Sequence, residues 1–387
     1  MEEQIVSLAD ITIDGKGSYG IGASAVPYSE ELYTYLRITD IKDDGTLNLQ
    51  DLKSVDDEKA QDYLLKPNDI VFARTGASTG RNYFYDGTDG EFVYAGFLIK
   101  FSIDEHKVNP KYIKYYCQSK QYKDWISSFN TGSTRGNINA QTLGKMPIPL
   151  IDRKRQDNLV SILSSIEEKI KQNVEINDNL ADLLQTIYQE QFGDVSSASV
   201  QGNLSDLCLY SRDRVSVSLL NTSTYFSTEN MLPGKAGATE ATSLPTTLQT
   251  TACHKGDTLI SNIRPYFKKI VYCENECGCS TDVLCFTPTQ SQYATYLFST
   301  LYADKFFAFM VAGSKGTKMP RGDKQQIMSY PVVLPSDEEL GKFNDLALPI
   351  LTQIHSNRSE NKQLSAVRDA LLPKLVSGKI DVSSIQL

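Results

Sequence analysis

The chain of 387 residues lacks the features of several specialised protein classes. No run of about 18 apolar residues occurs, so the sequence predicts no membrane-spanning helix. The first residues, Met1 to Gln4, show neither the basic segment nor the apolar stretch of a secretory signal, and we therefore expect a cytoplasmic protein. Cysteines number only seven, an odd count in a long chain, which indicates thiols rather than a disulfide framework.

The motifs of common enzymes are also missing. Residues 313–318 have the composition of a phosphate-binding loop without its spacing, and neither a Gly-x-Ser-x-Gly nor a His-Glu-x-x-His motif occurs. The chain contains three histidines, no Asn/Asp-Pro-Pro-Tyr/Phe tetrapeptide of the kind found in amino-methyltransferases, and no Gly-rich loop for S-adenosylmethionine. The sequence therefore predicts a protein that is not an enzyme by itself.

Four of the cysteines, Cys273, Cys277, Cys279 and Cys285, fall within 13 residues. Thiolates can hold zinc, but these gaps do not match the paired knuckles of structural zinc sites. Cys277 and Cys279 would share one face of a strand, and Cys285 lies in an apolar run. The sequence therefore predicts no metal site.

Acidic residues are concentrated at one end of the chain. The net charge is −8, and residues 1–65 alone carry −9, from 14 acidic and 5 basic residues, so the remainder sums to +1. Residues 254–270 and 311–324 each carry a net charge of +3. Such basic segments can bind phosphates, although scattered surface lysines are the commoner explanation for any one segment.

The two halves of the chain resemble each other. At a spacing of 184 positions, Ile166 and Ile170 correspond to Ile350 and Ile354. At other spacings, residues 8–11 (Leu-Ala-Asp-Ile) resemble 204–207 (Leu-Ser-Asp-Leu), and residues 66–69 resemble 254–257. The halves therefore share a framework that differs by insertions.

The best-matched part of each half follows a heptad pattern, which predicts two long helices that pair as a coiled coil. The first seam consists of residues alternately four and three positions apart: Leu159, Leu163, Ile166, Ile170, Asn173, Asn177, Leu180, Leu184 and Ile187. The second seam is formed by Phe343, Ala347, Ile350, Ile354, Asn357, Asn361, Leu364, Arg368 and Leu371. Polar seam residues cost stability but fix register, so we predict that Asn173, Asn177, Asn357 and Asn361 align the helices. The plainer alternative is that each helix packs only on its own globular neighbour.

The predicted fold class is α+β, with two pseudo-repeated globular domains separated by two long helices that form an antiparallel coiled coil. We expect the first domain at 1–150, the first helix at 151–193, the second domain at 194–335 with a Ser- and Gly-rich linker at 194–202, and the second helix with a C-terminal tail at 336–387. Helices of about 40 residues would be roughly 60 Å long, so the pair would act as a ruler. Pro373 lies inside the second helical pattern and predicts a kink or break there.

Each globular part contains strand-like runs bounded by Gly and Asp, such as residues 69–73 and 258–260. Short helices are predicted after these runs, around residues 110–127 and 293–310.

Polar, Gly-containing loops in both halves combine flexible backbone with hydroxyls and cations. These groups suit phosphate oxygens, and arginine can also read a guanine edge. Any one loop is explained as well by an ordinary turn with solvated charges, but recurrence in both halves favours nucleic-acid binding. The candidate residues are Arg74, Thr75, Ser78, Thr79, Arg81, Thr131, Ser133, Thr134, Arg135 and Asn137 in the first half, and Asn262, Arg264, Tyr266, Lys268, Lys269, Ser314, Lys315, Thr317, Lys318 and Arg321 in the second.

Taken together, these features resemble the specificity subunits of type I DNA restriction-modification systems over nearly the whole chain. In each half the pattern begins with a strand near residues 8–11, continues through residues 35–41 and 69–71, and reaches residues 132–135 before Met-Pro-Ile-Pro-Leu (146–150) leads into the helix. Residues 371–380 (Leu-Leu-Pro-Lys-Leu-Val-Ser-Gly-Lys-Ile) are similar to the family's C-terminal segment and form the most specific string.

The resemblance implies two target-recognition domains, each of which reads one half of a bipartite target in double-stranded DNA. It implies that two methyltransferase (modification) subunits dock on the helices, and that restriction subunits carry the nuclease and motor. S-adenosylmethionine, ATP and Mg would then bind to the partners and not to this chain. Two alternatives stay open: a specificity subunit for a type II-like fused nuclease-methyltransferase, and a coiled-coil adaptor that binds protein.

Overall fold

A computed structural model of the chain describes residues 4–129, 137–193 and 200–380. The chain forms two compact units, here called unit 1 (residues 1–170 and 362–387) and unit 2 (residues 171–361). This division differs from the domains expected from the sequence, because each long helix contributes one part to each unit. Within the described ranges, no helix is long and apolar enough to cross a membrane.

The helices of the described residues include two that are 40 residues long. The α-helices of the described residues are α1 (Pro110–Tyr116), α2 (Lys120–Ser127), α3 (Ala140–Gly144), α4 (Arg153–Phe192), α5 (Leu204–Leu207), α6 (Ala294–Tyr302), α7 (Asp304–Ala312), α8 (Lys324–Met328) and α9 (Asp337–Val376). The two long ones are α4 and α9.

Unit 1 contains a two-stranded sheet (β1-β10) and two four-stranded sheets, ordered β2-β9-β6-β7 and β3-β5-β4-β8. Its strands are β1 (Gln4–Ser7), β2 (Ser18–Tyr19), β3 (Ala25–Pro27), β4 (Thr34–Leu36), β5 (Lys53–Val55), β6 (Asp69–Ala73), β7 (Asn82–Tyr85), β8 (Phe92–Tyr94), β9 (Leu98–Ser102) and β10 (Pro147–Leu150).

Unit 2 has the same number of sheets, ordered β11-β20, β12-β19-β16-β17 and β13-β15-β18-β14. Its strands are β11 (Gln201–Asn203), β12 (Cys208–Tyr210), β13 (Arg214–Ser216), β14 (Tyr225–Phe226), β15 (Gln249–Cys253), β16 (Thr258–Ser261), β17 (Ile270–Tyr272), β18 (Cys277–Cys279), β19 (Val283–Pro288) and β20 (Pro331–Val333). The third sheets of the two units differ in their last two positions, which are β4-β8 in unit 1 and β18-β14 in unit 2.

Matching hydrogen bonds relate the two units. Asp69 accepts a hydrogen bond from the backbone N–H of Lys66 at 2.8 Å, and Asp257 accepts one from His254 at the same distance. Both carboxylates are buried. Asp69 is the first residue of β6, and Asp257 directly precedes β16. The aspartates therefore fix the same tight turn in each unit, as the repeat in the sequence predicts.

The prediction of a strand near residues 8–11 is wrong. Ala9–Ile11 form a short 3-10 helix, and the equivalent residues of unit 2 form α5. The cause is local capping, because Asp10 accepts from the backbone N–H and hydroxyl of Ser7 at 2.8 and 2.6 Å. Asp206 accepts from the backbone N–H of Asn203 in the same way, at 2.8 Å. An acid three residues after a capping position favours a helical turn over a strand.

The main core of unit 1 lies between the β2-β9-β6-β7 sheet, helices α1 and α2, and parts of both long helices. Leu159 and Leu163 of α4 and Leu375 of α9 are buried in it. Tyr115 of α1 donates to Glu167 of α4 at 3.0 Å, which adds a polar link to this apolar contact. The seam residues Leu159 and Leu163 of α4 and Leu371 of α9 thus pack against the globular part of unit 1.

Unit 2 contains paired asparagines where α4 and α9 run antiparallel. The Asn173 amide donates to Asn361 Oδ1 at 2.8 Å, and the Asn357 amide donates to Asn177 Oδ1 at 2.9 Å. Asn173, Asn177 and Asn357 are buried, so these bonds satisfy amides that would otherwise be costly to desolvate. The order of the pairs makes the helices antiparallel within this unit.

The second long helix does not break at Pro373 but continues to Val376. Proline removes one backbone donor, and here that donor would serve only the last turn, so the loss is small. The Ser- and Gly-rich linker lies partly outside the described residues, and β11 begins inside the predicted linker range, at Gln201.

Candidate nucleic-acid interface

The turn between β6 and β7 holds five of the candidate residues in unit 1. It is tightly closed, since the N–H of Gly80 donates to Ala73 and that of Arg81 donates to Ser78, both at 2.9 Å. Gly80 has a φ of +88°, and a Cβ on it would lie 2.4 Å from Ile126, so glycine is required there. The side chains of Arg74, Thr75, Ser78, Thr79 and Arg81 are carried on this rigid turn.

Arg74 is the residue of this turn whose contacts best suit an external ligand. Its guanidinium lies 5.1 Å from the ring centroid of Tyr19, and its Nε is buried without a hydrogen-bond partner. Tyr19 and Phe97, whose carbonyl accepts from the Arg74 N–H at 3.0 Å, are 42% and 58% exposed. A cation beside an exposed aromatic ring is an arrangement that suits nucleic acid.

Two other predicted residues of this turn are engaged within the protein. Arg81 is paired with Asp43 at 2.6 Å and also donates to the Ile41 carbonyl at 3.3 Å. The Thr79 hydroxyl donates to the Gly76 carbonyl at 2.8 Å, so it closes the turn. Both residues support the turn and are less suited to bind a ligand than Arg74.

A second predicted segment meets this turn. Thr75 pairs with Asn137 in an antiparallel bridge, and the Ile138 N–H donates to the Arg74 carbonyl at 2.9 Å. Four candidate residues of the same segment, Thr131, Ser133, Thr134 and Arg135, lie outside the described residues.

Unit 2 brings its two predicted segments together in the equivalent way. Ile263 pairs with Arg321, and the Arg264 N–H donates to the Pro320 carbonyl at 2.8 Å. Lys315 also pairs with Arg321, so residues 315–321 fold back beside the turn between β16 and β17. The candidate residues carried by these two segments are Asn262, Arg264, Tyr266, Lys268 and Lys269 in the turn, and Ser314, Lys315, Thr317, Lys318 and Arg321 in the second segment. We call this surface the unit 2 platform.

The turn of the platform has an unusual backbone. Arg264 and Lys268 both have a φ of +50°, the left-handed region that non-glycine residues adopt at a cost. Between them, Pro265–Phe267 form a short 3-10 helix that leaves Tyr266 and Phe267 50% and 38% exposed. Their rings lie 4.7 Å apart, so the turn presents an aromatic pair to solvent. Stacking on bases or sugars is a known use of such rings.

Three of the six cations of the platform, Lys268, Lys315 and Arg321, are paired with carboxylates. Lys268 is 2.9 Å from Asp304, and Lys235 shares the same oxygen at 2.8 Å. Hydrogen bonds from Lys235, and next from Lys268, hold the pKa of Asp304 below its ordinary value. Further partners of platform cations are Asp282 for Arg321, Asp323 for Lys315, and the Thr228 carbonyl for Lys269. Asp304 and Asp282 lie outside the two counted segments, so these pairs only partly offset the charge of +3 in each segment.

Arg264, Lys269 and Lys318 have no ion pair among the described residues. Arg264 Nε is buried and has no hydrogen-bond partner, and so has Oδ1 of Asn262 nearby in the turn. A Cβ on Gly322 would lie 2.9 Å from that oxygen, which shows how closely the second segment approaches it. Buried polar atoms without partners are rare in folded proteins and mark places where a ligand can supply the missing bond.

The sequence did not single out Tyr19, Phe97 and Phe267, although each is an exposed aromatic residue beside a predicted cation. It also missed Asp43, Asp282 and Asp304, because these carboxylates are far from their partners along the chain. A polar turn with an adjacent exposed aromatic residue was a usable signal for the first group. No local signal existed for the second.

Residues 23–181 match the family described as "Type I restriction modification DNA specificity domain". The type I restriction enzyme MjaIX specificity subunit of Methanocaldococcus jannaschii is 34% identical over 76 residues. That alignment covers 20% of this chain and 18% of the relative, so the chain is matched to less than a fifth of the relative's length.

A solved structure shares the fold over nearly its whole length. The type I restriction-modification system S subunit from M. genitalium superposes with a TM-score of 0.56 at 16% identity, and the match covers 97% of this chain and 96% of that one. The α+β fold class predicted from the sequence is thereby confirmed.

Proposed function

We propose, on the premise that this chain belongs to the type I restriction-modification DNA specificity family, that it is the non-catalytic subunit that reads a bipartite DNA target. Each unit would contact one half of the target. Unit 1 would use the β6–β7 turn with Arg74, and unit 2 would use the platform. The chain would determine which DNA sequence is bound, and partner subunits would carry out methylation and cleavage.

One observation carries the proposal. In both units the same strand-to-turn position, braced by the same second segment, holds polar side chains with buried atoms that lack a partner: Arg74 Nε in unit 1, and Asn262 Oδ1 and Arg264 Nε in unit 2. Exposed aromatic rings lie beside each set. Arginine can donate two hydrogen bonds to a guanine edge or to a phosphate, so DNA can satisfy these groups.

The partners follow from the family. The long helices would dock two methyltransferase subunits, and restriction subunits would join that complex, with S-adenosylmethionine, ATP and Mg bound by these partners. We place this complex in the cytoplasm, where its DNA substrate is accessible. Because half of the platform cations are already paired with carboxylates, the isolated chain should bind DNA weakly, and binding should become tighter and more salt-sensitive when the methyltransferase subunits join. Equal affinity with and without them, measured by fluorescence anisotropy, contradicts this arrangement.

The experiment is to map methylated adenines in cells that carry the complete system with single variants of this chain. Arg264→Ala should relax the base requirement at a position in one half of the target, because a bidentate base contact contributes about 1–3 kcal/mol of discrimination. Arg74→Ala should relax a position in the other half. Each variant should leave the opposite half unchanged.

Lys342→Ala is the matched control, since Lys342 is an exposed cation on α9 paired with Glu338 and lies outside the platform. The control should leave the whole target unchanged. Loss of specificity in both halves with either arginine variant, or an unchanged target with both, counts against the assignment of one half to each unit. Neither the fused type II-like partner nor the protein-binding adaptor draws support from the comparisons.

A further inference from the structure

Unit 2 contains a cluster of five cysteines in one small core. Cys253, Cys273, Cys277, Cys279 and Cys285 are all free and buried, and they form more than half of the fully buried residues in the layer between the two four-stranded sheets. The other members are Met231, Leu259, Val271 and Val283. Such a concentration of thiols exceeds what packing requires.

The pseudo-repeat provides an internal comparison. Cys253 corresponds to Leu65, because each directly precedes the matched turn that ends at Asp257 or Asp69. Cys273 corresponds to Tyr85, since both are opposite these aspartates, and Cys277 corresponds to Phe92, since each is opposite Cys253 or Leu65. Cys279 and Tyr94 each lie two residues after this second matched pair, Cys277 and Phe92, so they also correspond. Unit 1 thus fills the same layer with Leu, Phe and Tyr, so the fold does not demand thiols there.

One pair in this comparison is closely matched. In unit 1 the rings of Tyr85 on β7 and Phe92 on β8 meet edge to face at 6.3 Å and connect the two sheets. In unit 2 the equivalent contact is between the sulfurs of Cys273 and Cys277, which are 3.6 Å apart. A disulfide needs about 2 Å, and residues 274–276 form the short connection between them, so a small shift closes the bond.

We propose that Cys273 and Cys277 form a reversible disulfide when the protein meets a peroxide. Cys277, at 6% exposure, is the most accessible of the five thiols. The Cys277 thiolate attacks one peroxide oxygen, and the oxygen–oxygen bond breaks to give Cys277 sulfenic acid and hydroxide. The Cys273 thiol then attacks that sulfur, loses its proton, and expels hydroxide as water. Overall, two thiols and one hydrogen peroxide give one disulfide and two waters.

The surroundings support this order of events. Hydrogen bonds from Cys253, and next from Cys273, lower the pKa of Cys277, whereas the hydrogen bond with Cys277, and next burial, raise the pKa of Cys273 well above its ordinary value. Cys277 therefore has the thiolate that reacts first, and Cys273 keeps its proton until the second step. Within the described residues, no group of three or more Cys, His, Asp or Glu side chains is placed to hold a metal ion, so the geometry favours a pair over a metal site.

The bond would join two sheets. Cys273 directly follows β17, which belongs to the sheet that carries the platform turn, and Cys277 begins β18 of the other sheet. Oxidation would therefore fix the position of the platform sheet against its neighbour. Amide hydrogen exchange in β17 and β18 should become slower in the oxidised protein.

The test is peptide mapping of the folded full-length chain after treatment with hydrogen peroxide and alkylation of the remaining thiols. Trypsin should release residues 270–305, which contain Cys273, Cys277, Cys279 and Cys285, whereas Cys253 lies in the separate peptide 236–255. We expect peptide 270–305 to lose two hydrogens and to carry two alkyl groups instead of four. Cleavage after Glu274 and Glu276 should then leave two fragments joined through Cys273 and Cys277.

Cys279→Ala is the matched control because it removes a buried thiol of the same layer and should still allow the bond. Cys277→Ala should abolish it. Full alkylation of wild-type Cys273 and Cys277 after peroxide overturns the proposal, and so does a cross-link between peptides 236–255 and 270–305. Retention of a thiol-bound metal in native mass spectrometry, with no disulfide, also overturns it.

Discussion

The paired asparagines of unit 2 give the sharpest stability prediction. Asn357→Ala removes the donor of the 2.9 Å bond to Asn177 and the acceptor of the 2.7 Å bond from Gln353. Asn177 is 8% exposed, so water cannot fully replace the lost donor. An unsatisfied buried amide costs about 1–3 kcal/mol. This loss lowers the local opening free energy of α9, which corresponds to a roughly 5- to 150-fold faster amide exchange.

The assay is hydrogen exchange with mass spectrometry on α9 peptides of the full-length chain, which avoids assuming that the whole protein unfolds in one step. Asn177→Ala should cost a similar amount, because it leaves the Asn357 amide without its acceptor. The double variant Asn177→Leu/Asn357→Leu removes both polar partners and should exchange nearly as slowly as the wild type. In the double variant Asn177→Ala/Asn357→Ala, the loss should be smaller than the sum of the two single losses by a coupling energy of about 0.5–3 kcal/mol.

The control is Ser359→Ala, an exposed α9 residue two positions from Asn357. A surface change of this kind should stay within about 0.5 kcal/mol. If Asn357→Ala exchanges no faster than the control, or if the two single effects simply add in a double alanine variant, the asparagines do not act as a pair. In that case they cannot set the register of the helices.

Three further predictions follow from other parts of the chain. Removal of seven residues from each long helix shortens each by about 10 Å, so the methylated target should keep both half-site sequences but change its spacer by about three base pairs; an unchanged spacer contradicts the ruler. Asp304→Asn frees Lys235 and Lys268, so the salt dependence of DNA binding, measured by anisotropy, should steepen by roughly 0.9 for each new phosphate contact; an unchanged slope means that the lysines do not reach DNA. Hydrogen bonds to Glu276 and then Asp213 raise the pKa of His254, so its stabilisation is complete below the ordinary histidine value and is lost as pH rises through the folded-state value; His254→Gln should flatten the thermal stability of the chain across that range, and an unaltered profile refutes the link.

Regular periodicity made the long helices predictable from sequence. The heptad spacing and the flanking Pro149 and Gly193 predicted limits close to those of α4, and the run at residues 69–73 coincides with β6. These features depend on local pattern, and so does the recurrence of polar turns after β6 and β16. The four seam asparagines were also evident, because two polar residues interrupt each apolar seam.

Long-range electrostatics could not be read from the sequence. Lys268 and Asp304 are 36 positions apart, and Arg81 and Asp43 are 38 apart, so nothing local shows that these charges neutralise one another. The helical turn at Ala9–Ile11 was missed because the capping acid outweighed a strand-like pattern. The meeting of the two platform segments depends on sheet pairing, which propensity does not determine.

The way the long helices are shared has a consequence for synthesis on the ribosome. Unit 2 is one continuous stretch, residues 171–361, whereas unit 1 needs residues from both ends of the chain. Leu372, Leu375 and Val376 lie in the core of unit 1. The part of the protein that is translated first is therefore completed last, and until then its core lacks the side chains of Leu372, Leu375 and Val376. A premature stop after residue 361 would spare the later-made unit and leave the earlier-made one incomplete.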